Sequence, residues 1–341
     1  RSIFSRKLQE LMTDRLNKGQ QTILFLNRRG YAGFVSCRSC GEVMKCPHCD
    51  VSLSEHKGGR LICHYCGYTQ PMPKLCPKCG SKYILGFKAG TQQIEEKLKE
   101  LYPGVRTLRM DADTTRTKDS YEKILSSFAN GEADVLIGTQ MIVKGHDFPK
   151  VTLVGILAAD LSLNASDYRA GERTFQLLTQ AVGRAGRGVL PGEAVIQTYQ
   201  PDHYAITCAA AQDYESFYQE EILYRELSGY PPVAHMLAVQ IYGKEEENVK
   251  QLALRLTDVV KSNMDFLSGK QKEQSNKKIQ VLGPAPANIS KINDIYRYVF
   301  YVKHAEYDVL VEVKDRLEET LRQWQPRQMS IQFDFDPVSV L

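Results

Sequence analysis

Residues 22–80 read TILFLNRRGYAGFVSCRSCGEVMKCPHCDVSLSEHKGGRLICHYCGYTQPMPKLCPKCG. Thr22 to Leu26 is an unbroken apolar run, the pattern of a strand buried on both faces in a parallel sheet. Four Cys-x-x-Cys pairs follow it: Cys37/Cys40, Cys46/Cys49, Cys63/Cys66 and Cys76/Cys79. Eight thiolates suffice for two tetrahedral Zn²⁺ ions with sulfurs at about 2.3 Å, and a two-residue gap lets both sulfurs of a pair turn onto one ion. Gly41, Gly67 and Gly80 follow the second cysteine of three pairs, which suits a turn at positive φ whose amides point at sulfur. Disulfides are the competing use of so many cysteines. An odd total of nine, no recognisable export signal and a long charged chain favour a reducing compartment and hence zinc.

Spacing also bears on which pairs share an ion. Asp50 to Ile62 reads as a hairpin: Val51 and Leu53 alternate with Ser52 and Ser54, Lys57-Gly58-Gly59 supplies the turn, and the chain returns from Leu61. Such a hairpin sets Cys46/Cys49 beside Cys63/Cys66 and leaves Cys37/Cys40 with Cys76/Cys79 to close the base, a nested arrangement. Sequential pairing, the first four together and the last four together, is the other arrangement the spacing allows. His48 and His64 lie inside Cys-x-x-Cys gaps, but four thiolates already fill each site, so both read as surface or supporting residues.

Outward from this module the pattern changes. Before it, Leu8, Leu11, Met12 and Leu16 mark a helix. After it, strands at Tyr83–Phe87, Arg106–Met110, Asp134–Gly138, Val151–Leu157 and Glu193–Tyr199 alternate with helices at Thr91–Tyr102, near Ser120–Ala129 and at Arg173–Ala185. Repeated strand–helix units predict a parallel, three-layer α/β domain, interrupted after its first strand by the cysteine module. From about Asp202 an aromatic, acidic helix runs to Gly229-Tyr230-Pro231-Pro232. Beyond it the order strand, helix, two strands, helix, strand predicts a ferredoxin-like α+β domain. The domain expectation is therefore 1–35 with 81–204 for the α/β domain, 36–80 for the cysteine module, and 205–341 for the C-terminal domain with its leading helix. Lys270 to Lys278, with no apolar residue, is expected as a solvated loop.

At 341 residues and 43% hydrophobic content the chain is long enough for two or three ordinary cores. A net charge of +4 is too mild to argue nucleic-acid binding by itself. The segment Ser36–Gly80 is more basic, with six cations against three anions. No run is long and apolar enough to cross a bilayer, so no membrane association is expected and the cytoplasm is the expected location.

Two motifs follow α/β strands, where such sheets place their ligands. Gly138-Thr139-Gln140-Met141-Ile142-Val143-Lys144-Gly145-His146-Asp147-Phe148 trails one strand, and Gln180-Ala181-Val182-Gly183-Arg184-Ala185-Gly186-Arg187-Gly188 ends the last helix. Arg184 and Arg187, three apart, are expected on one side of that helix within reach of one anion. Gly183 and Gly186 are expected to clear side chains so that another surface can approach. The helix dipole alone also favours arginines near a helix end.

Taken together, these stretches resemble motifs V and VI of superfamily 2 helicases, and Leu24-Phe25-Leu26-Asn27-Arg28-Arg29-Gly30 resembles motif IV. With the nested cysteine insertion and the Ser228-Gly229-Tyr230-Pro231-Pro232 junction, the chain is similar over nearly its whole length to the primosomal replication-restart helicase family. The resemblance implies a RecA-like second helicase lobe with an inserted two-zinc Cys₄ module and a C-terminal domain like ribosomal protein S10. It implies an ATP-dependent 3′-to-5′ DNA helicase that recognises stalled or branched replication forks and initiates primosome assembly.

Carried onto this sequence, the resemblance gives Arg184 and Arg187 to the γ-phosphate of ATP and Gln180 to coupling across the lobe interface. Gly145 and Asp147 join the arginines on the nucleotide side. Thr139, Gln140, Lys144 and His146 are expected on the phosphate backbone of single-stranded DNA, with Asn27 and Arg28 along the same track and Gly145 permitting close approach. His146 also reads as a satisfied structural histidine. The implied partners are branched and single-stranded DNA, single-stranded-DNA-binding protein, and primosome and helicase-loading proteins, for a bacterial, nucleoid-associated monomer.

Neither Gly-x-x-x-x-Gly-Lys-[Ser/Thr] nor an Asp-Glu-x-His box occurs in these residues. ATP and Mg²⁺ are therefore expected mostly on another lobe, and the chain alone is expected to be inactive. A stand-alone zinc-ribbon recognition module on an α/β scaffold is the alternative from another class, and it leaves the Arg184/Arg187 segment and the Gly138–Asp147 loop without a purpose.

Overall fold

The computed structural model describes residues 3–26, 35–37, 39–40, 42–48, 51–56, 59–63, 66–86, 90–111, 114–115, 118–139, 142, 147–163, 167–262 and 278–338. In chain order, the first elements are α1 (Arg6–Asn17), β1 (Gln21–Leu26), β2 (Val35–Cys37), β3 (Ser54–His56), β4 (Arg60–Ile62), β5 (Thr69–Pro71) and β6 (Ile84–Gly86). Next come α2 (Thr91–Leu101), β7 (Thr107–Met110), α3 (Lys118–Ala129), β8 (Val135–Gly138), β9 (Val151–Leu157), α4 (Asp160–Leu163), α5 (Ala170–Val182) and β10 (Glu193–Ile196). The last are α6 (Tyr204–Ala211), α7 (Tyr214–Ser228), β11 (His235–Gly243), α8 (Glu246–Ser262), β12 (Gln280–Ile292), β13 (Ile295–His304), α9 (Tyr307–Trp324) and β14 (Met329–Phe335). The chain divides into two compact units, Arg1–Gly33 with Lys88–Glu221 and Phe34–Phe87 with Ile222–Leu341.

The first unit is built on a five-stranded sheet, β10-β9-β1-β8-β7, parallel throughout. All six residues of β1 are buried, which is why its apolar run is unbroken. Successive side chains point to opposite faces, so Ile23 and Phe25 join the core with Phe128, Phe175 and Leu178, while Leu24 and Leu26 join Leu8, Met12, Ile94 and Leu98. Burying each such side chain is worth about 1.5–3 kcal/mol, and helices on both faces complete three layers.

In the second unit β11–β14 form an antiparallel sheet in the order β12-β13-β11-β14, the ferredoxin-like order. Leu237, Val239 and Ile241 of β11 and Phe300 and Val302 of β13 share a core with Leu252 and Leu256 of α8 and Leu310, Val313 and Leu317 of α9. The cysteine module belongs to the same unit. It has a three-stranded sheet β3-β4-β5 and a two-stranded sheet β2-β6.

Two expectations change. The strand predicted at Tyr83–Phe87 is β6, and it pairs antiparallel with β2, Cys37 opposite Ile84, not with the parallel sheet. Its backbone partners are Val35–Cys37, so it closes the base of the module. The helical region from residue 205, expected with the C-terminal domain, begins in the first unit: Ala205, Ile206, Ala209 and Phe217 lie in its core, and Phe217 stacks on Phe175 at 4.1 Å and 10°. Stacked aromatics add about 0.5–1.5 kcal/mol beyond area burial. The Lys270–Lys278 expectation falls, except for Lys278, outside the described residues. Among the described residues no helix is long and apolar enough to cross a membrane.

Candidate functional site

In the first unit the charged groups come from the segment leading into β9 and from the turns after α5, which bond to Val151 at the amino end of β9. Gly138 closes β8 where a Cβ would lie 2.4 Å from Ile142 Cδ1 and 2.5 Å from the Met110 carbonyl, so the chain leaves the sheet tightly. Thr139, half-buried, starts the loop and accepts the Ile142 N–H through its carbonyl at 3.1 Å. Asp147 emerges exposed just before Phe148, which anchors the loop edge-on against Phe128 at 5.0 Å.

The helix does not carry the two arginines. It ends at Val182 with Gly183 as its cap, and Arg184 and Ala185 continue in tight turns, their N–H groups donating to Ala181 and Val182 carbonyls at 3.1 Å each. Gly186 then reverses the chain at φ +71°, its N–H donating to the Val151 carbonyl of β9 at 3.0 Å. Arg187 therefore reaches its position through a turn rather than through the helical three-residue spacing. Its guanidinium pairs with the Asp147 carboxylate, and its Nε–H donates to the Gly183 carbonyl at 2.8 Å.

Arg184 is half-buried. Burial first, and then the charge on Arg187, push its pKa below the ordinary arginine value, while Asp147 works in the opposite direction. Two guanidinium groups held close, one partly desolvated, form a site where an added anion is favoured. Gln180 is exposed on the last turn of α5.

The structure thus brings Asp147, Arg184 and Arg187 into one charge cluster beside the amino end of β9. Thr139 instead follows the carboxyl end of β8, at the opposite edge of the parallel sheet. The second motif does not lie at a strand's carboxyl end, because α5 runs back antiparallel to the strands. Asn27, Arg28, Gln140, Lys144, Gly145 and His146 lie outside the described residues. The two glycines are not alike. A Cβ on Gly183 would meet the Thr179 carbonyl at 3.3 Å and the Gln180 carbonyl at 3.8 Å, whereas one on Gly186 would lie 2.4 Å from the Gly192 backbone nitrogen. Gly186 is required within the unit itself, in contrast to the expectation that it clears space for another surface. Gly192 was not singled out in the sequence, and Pro191-Gly192 before β10 was the available signal.

In the second unit the pairing of β2 with β6 brings the outer cysteines together. The Sγ atoms of Cys37, Cys40, Cys76 and Cys79 lie within 4.8 Å of one another, with Cys37–Cys79 at 3.6 Å and Cys40–Cys76 at 3.7 Å. A tetrahedron with bonds of about 2.3 Å has edges of about 3.8 Å, whereas a disulfide needs about 2.05 Å. The four sulfurs therefore fit a tetrahedral cation. The inner group joins Cys46, Cys63 and Cys66, with Cys46–Cys66 at 3.6 Å; Cys49 lies outside the described residues. The hairpin β3–β4, with Ser54 opposite Ile62, carries the chain from one pair back to the other. Gly67 and Gly80 stand at φ +75° and +70°, their N–H groups closing on the Cys63 and Cys76 carbonyls at 3.0 and 2.9 Å.

Burial works to raise the Cys37 thiol, but the N–H groups of Cys40 and Ser39, with the Cys79 and Cys40 thiols, outweigh it and bring it down to about 6. The Ser81 amide lowers Cys79, yet Cys40, burial, Cys37 and Cys76 together push it up to about 12. The Cys37 thiolate is thus favoured and that of Cys79 disfavoured, and a bound cation would favour the thiolate form of both.

Three family models match parts of this chain. The family model described as Primosomal protein N C-terminal domain matches residues 226–338. The PriA DNA helicase Cys-rich region domain matches 46–71, and the Helicase conserved C-terminal domain matches 75–189. The replication restart protein PriA of Bacillus subtilis is 43% identical over 343 aligned residues, covering 100% of this chain and 41% of that protein. The protein of the same name from Synechocystis is 41% identical, covering 100% of this chain and 40% of that protein. The chain thus spans about two fifths of the length of these relatives. Among solved structures, the Pyrococcus furiosus Hef helicase domain aligns with 56% of this chain and 24% of its own at 17% identity and a TM-score of 0.27, too low a score to bear on the fold. With 43% and 41% identity to these relatives along the whole of this chain and three matching family models, the chain belongs to the replication restart protein PriA family, whose helicase C-terminal, cysteine-rich and C-terminal domains it carries.

Proposed function

We propose that this chain forms the second motor lobe, a two-zinc module and the C-terminal domain of an ATP-dependent 3′-to-5′ DNA helicase that recognises branched replication forks and initiates primosome assembly. The observation that carries the reading is the cluster of Asp147, Arg184 and Arg187 on turns beside the amino end of β9 in a parallel sheet. An exposed guanidinium held by one carboxylate and one carbonyl can exchange that carboxylate for a phosphate oxygen presented by a facing lobe. In that exchange Arg187 acts as an arginine finger, stabilising charge that develops on the transferred phosphoryl group. Arg184, disfavoured as a cation by burial and by Arg187, gains from the same anion, and Gln180 lies one turn before it.

Thr139, Gln140, Lys144 and His146, with Asn27 and Arg28, are proposed to meet the phosphate backbone of single-stranded DNA. Contacts of that kind position a strand without reading its sequence, as a translocase requires. Cys37, Cys40, Cys76 and Cys79 are proposed to hold one Zn²⁺, and Cys46, Cys49, Cys63 and Cys66 a second. Bound zinc supplies tetrahedral cross-links for a module too small for a large core of its own. ATP and Mg²⁺, single-stranded-DNA-binding protein, and primosome and helicase-loading proteins complete the proposed setting, in the bacterial cytoplasm with a monomer at the fork.

The test joins this chain to a first lobe with a phosphate-binding loop and measures DNA-stimulated ATP turnover. Arg187→Ala is expected to lower kcat by about 10³-fold or more while changing nucleotide affinity far less. Unchanged kcat in that variant would remove the arginine-finger assignment.

A further inference from the structure

The β12–β13 hairpin ends in a two-residue turn, Asn293-Asp294, at φ +50° and +60°, between the paired residues Ile292 and Ile295. Two successive left-handed residues match the twist of an antiparallel pair, so the tip is a defined shape. It meets the cysteine module of the same unit at Cys46-Pro47-His48. The Asp294 N–H donates to the His48 carbonyl at 2.9 Å, and His48 Nδ1–H donates to the Asp294 carboxylate at 2.6 Å. Lys291 Nζ donates to the Pro47 carbonyl at 3.1 Å.

Apolar packing reinforces these bonds. Ile292 packs against the core formed by Cys46, Leu53, Leu61, Cys63 and their neighbours. On its other side the His48 ring stands edge-on to Tyr68 at 5.4 Å, and the Tyr68 carbonyl accepts the Cys63 N–H at 2.8 Å. An exposed ion pair by itself counts for little. Here both residues between Cys46 and Cys49 are gripped through their backbone carbonyls, and the loop they form must keep its shape for both sulfurs to face one ion. The outer cluster, by contrast, is closed by β2 and β6 of its own module.

We propose that the Lys291–Asp294 turn clamps the inner cysteine knuckle, so that metal binding at Cys46, Cys49, Cys63 and Cys66 and docking of the C-terminal hairpin stabilise each other. The inference rests on the reading of these cysteines as zinc ligands. Coupling between two binding events is reciprocal: whatever factor the docked hairpin adds to retention of the inner ion, the ion adds to docking.

The experiment follows zinc release from the purified chain into an excess of a colour-forming chelator. Asp294→Gly removes the carboxylate and keeps a residue suited to the left-handed turn. One of two ions should then leave roughly fivefold faster or more, and the other at the wild-type rate. In the reciprocal arm, Cys46→Ser removes the inner site and hydrogen exchange is read on residues 289–296; the Asp294 amide should lose protection. Wild-type release of both ions in Asp294→Gly, equal acceleration of both, or wild-type protection in Cys46→Ser overturns the clamp. Fewer than two zinc ions per wild-type chain overturns the ligand assignment and the coupling with it, whereas two ions with unchanged release overturns the coupling alone.

Discussion

Replacing Gly186 with alanine separates two explanations of the glycines around Arg184 and Arg187. If both glycines leave room for an approaching partner, neither is needed for folding. The structure distinguishes them. At Gly186, φ is +71° and a Cβ would sit 2.4 Å from Gly192 N and 2.8 Å from Gly192 Cα, both backbone atoms that cannot rotate away. A left-handed non-glycine residue costs about 1–2 kcal/mol, and forcing the 186 and 192 segments apart adds about 1–3 kcal/mol. The sum, about 2–5 kcal/mol, corresponds to a fall in Tm of roughly 4–20 °C for a unit of this size. Gly183 has φ −65° and one 3.3 Å contact, so Gly183→Ala should stay within about 1 kcal/mol of wild type. Thermal unfolding by far-UV circular dichroism measures both variants. Trp324, the single tryptophan, lies in the second unit, and its fluorescence reports that unit. A Gly186→Ala protein as stable as Gly183→Ala would refute the argument that this turn is internally required.

Cys46→Ser should reduce bound zinc from two ions to one per chain, by metal analysis, and leave the circular dichroism of the α/β unit in place; loss of both ions would contradict separate sites. Phe217→Ala should destabilise the first unit by about 3–5 kcal/mol in urea titration, because the ring stacks on Phe175; a shift confined to Trp324 fluorescence would place α7 with the C-terminal domain instead. Lys144→Ala should weaken single-stranded DNA of every sequence alike and flatten the slope of log K against log salt by about 0.7. Loss of affinity for only some sequences, with an unchanged slope, would assign Lys144 to base reading.

Much of this protein is legible in one dimension because the relevant physics is local. The run Ile23–Leu26 is apolar at every position because β1 is covered on both faces. The cysteine spacing carries the tetrahedral requirement in the chain itself, and the Asp50–Ile62 hairpin is enough to bring Cys46 to Cys63 and Cys66. The alternation in Met329–Phe335 predicts a strand with one apolar face, and that face meets α8 and α9.

What the sequence leaves open depends on partners distant in the chain. Ile84–Gly86 has the composition of any short strand, and only the position of Val35–Cys37 makes it the antiparallel base of the cysteine module. Tyr204 and Phe217 look like the start of a new domain until Phe175 supplies the surface on which they bury. The helical spacing of Arg184 and Arg187 suggests a shared face, yet the helix stops before them, and it is Asp147, 40 positions away, that holds Arg187. His48 gives no sign of Asp294, 246 residues on. Periodicity and ligand spacing report what a segment needs from its neighbours. Which neighbour meets that need is decided when the chain closes on itself, because hydrogen bonds and close packing act over a few ångströms of space and not along the sequence.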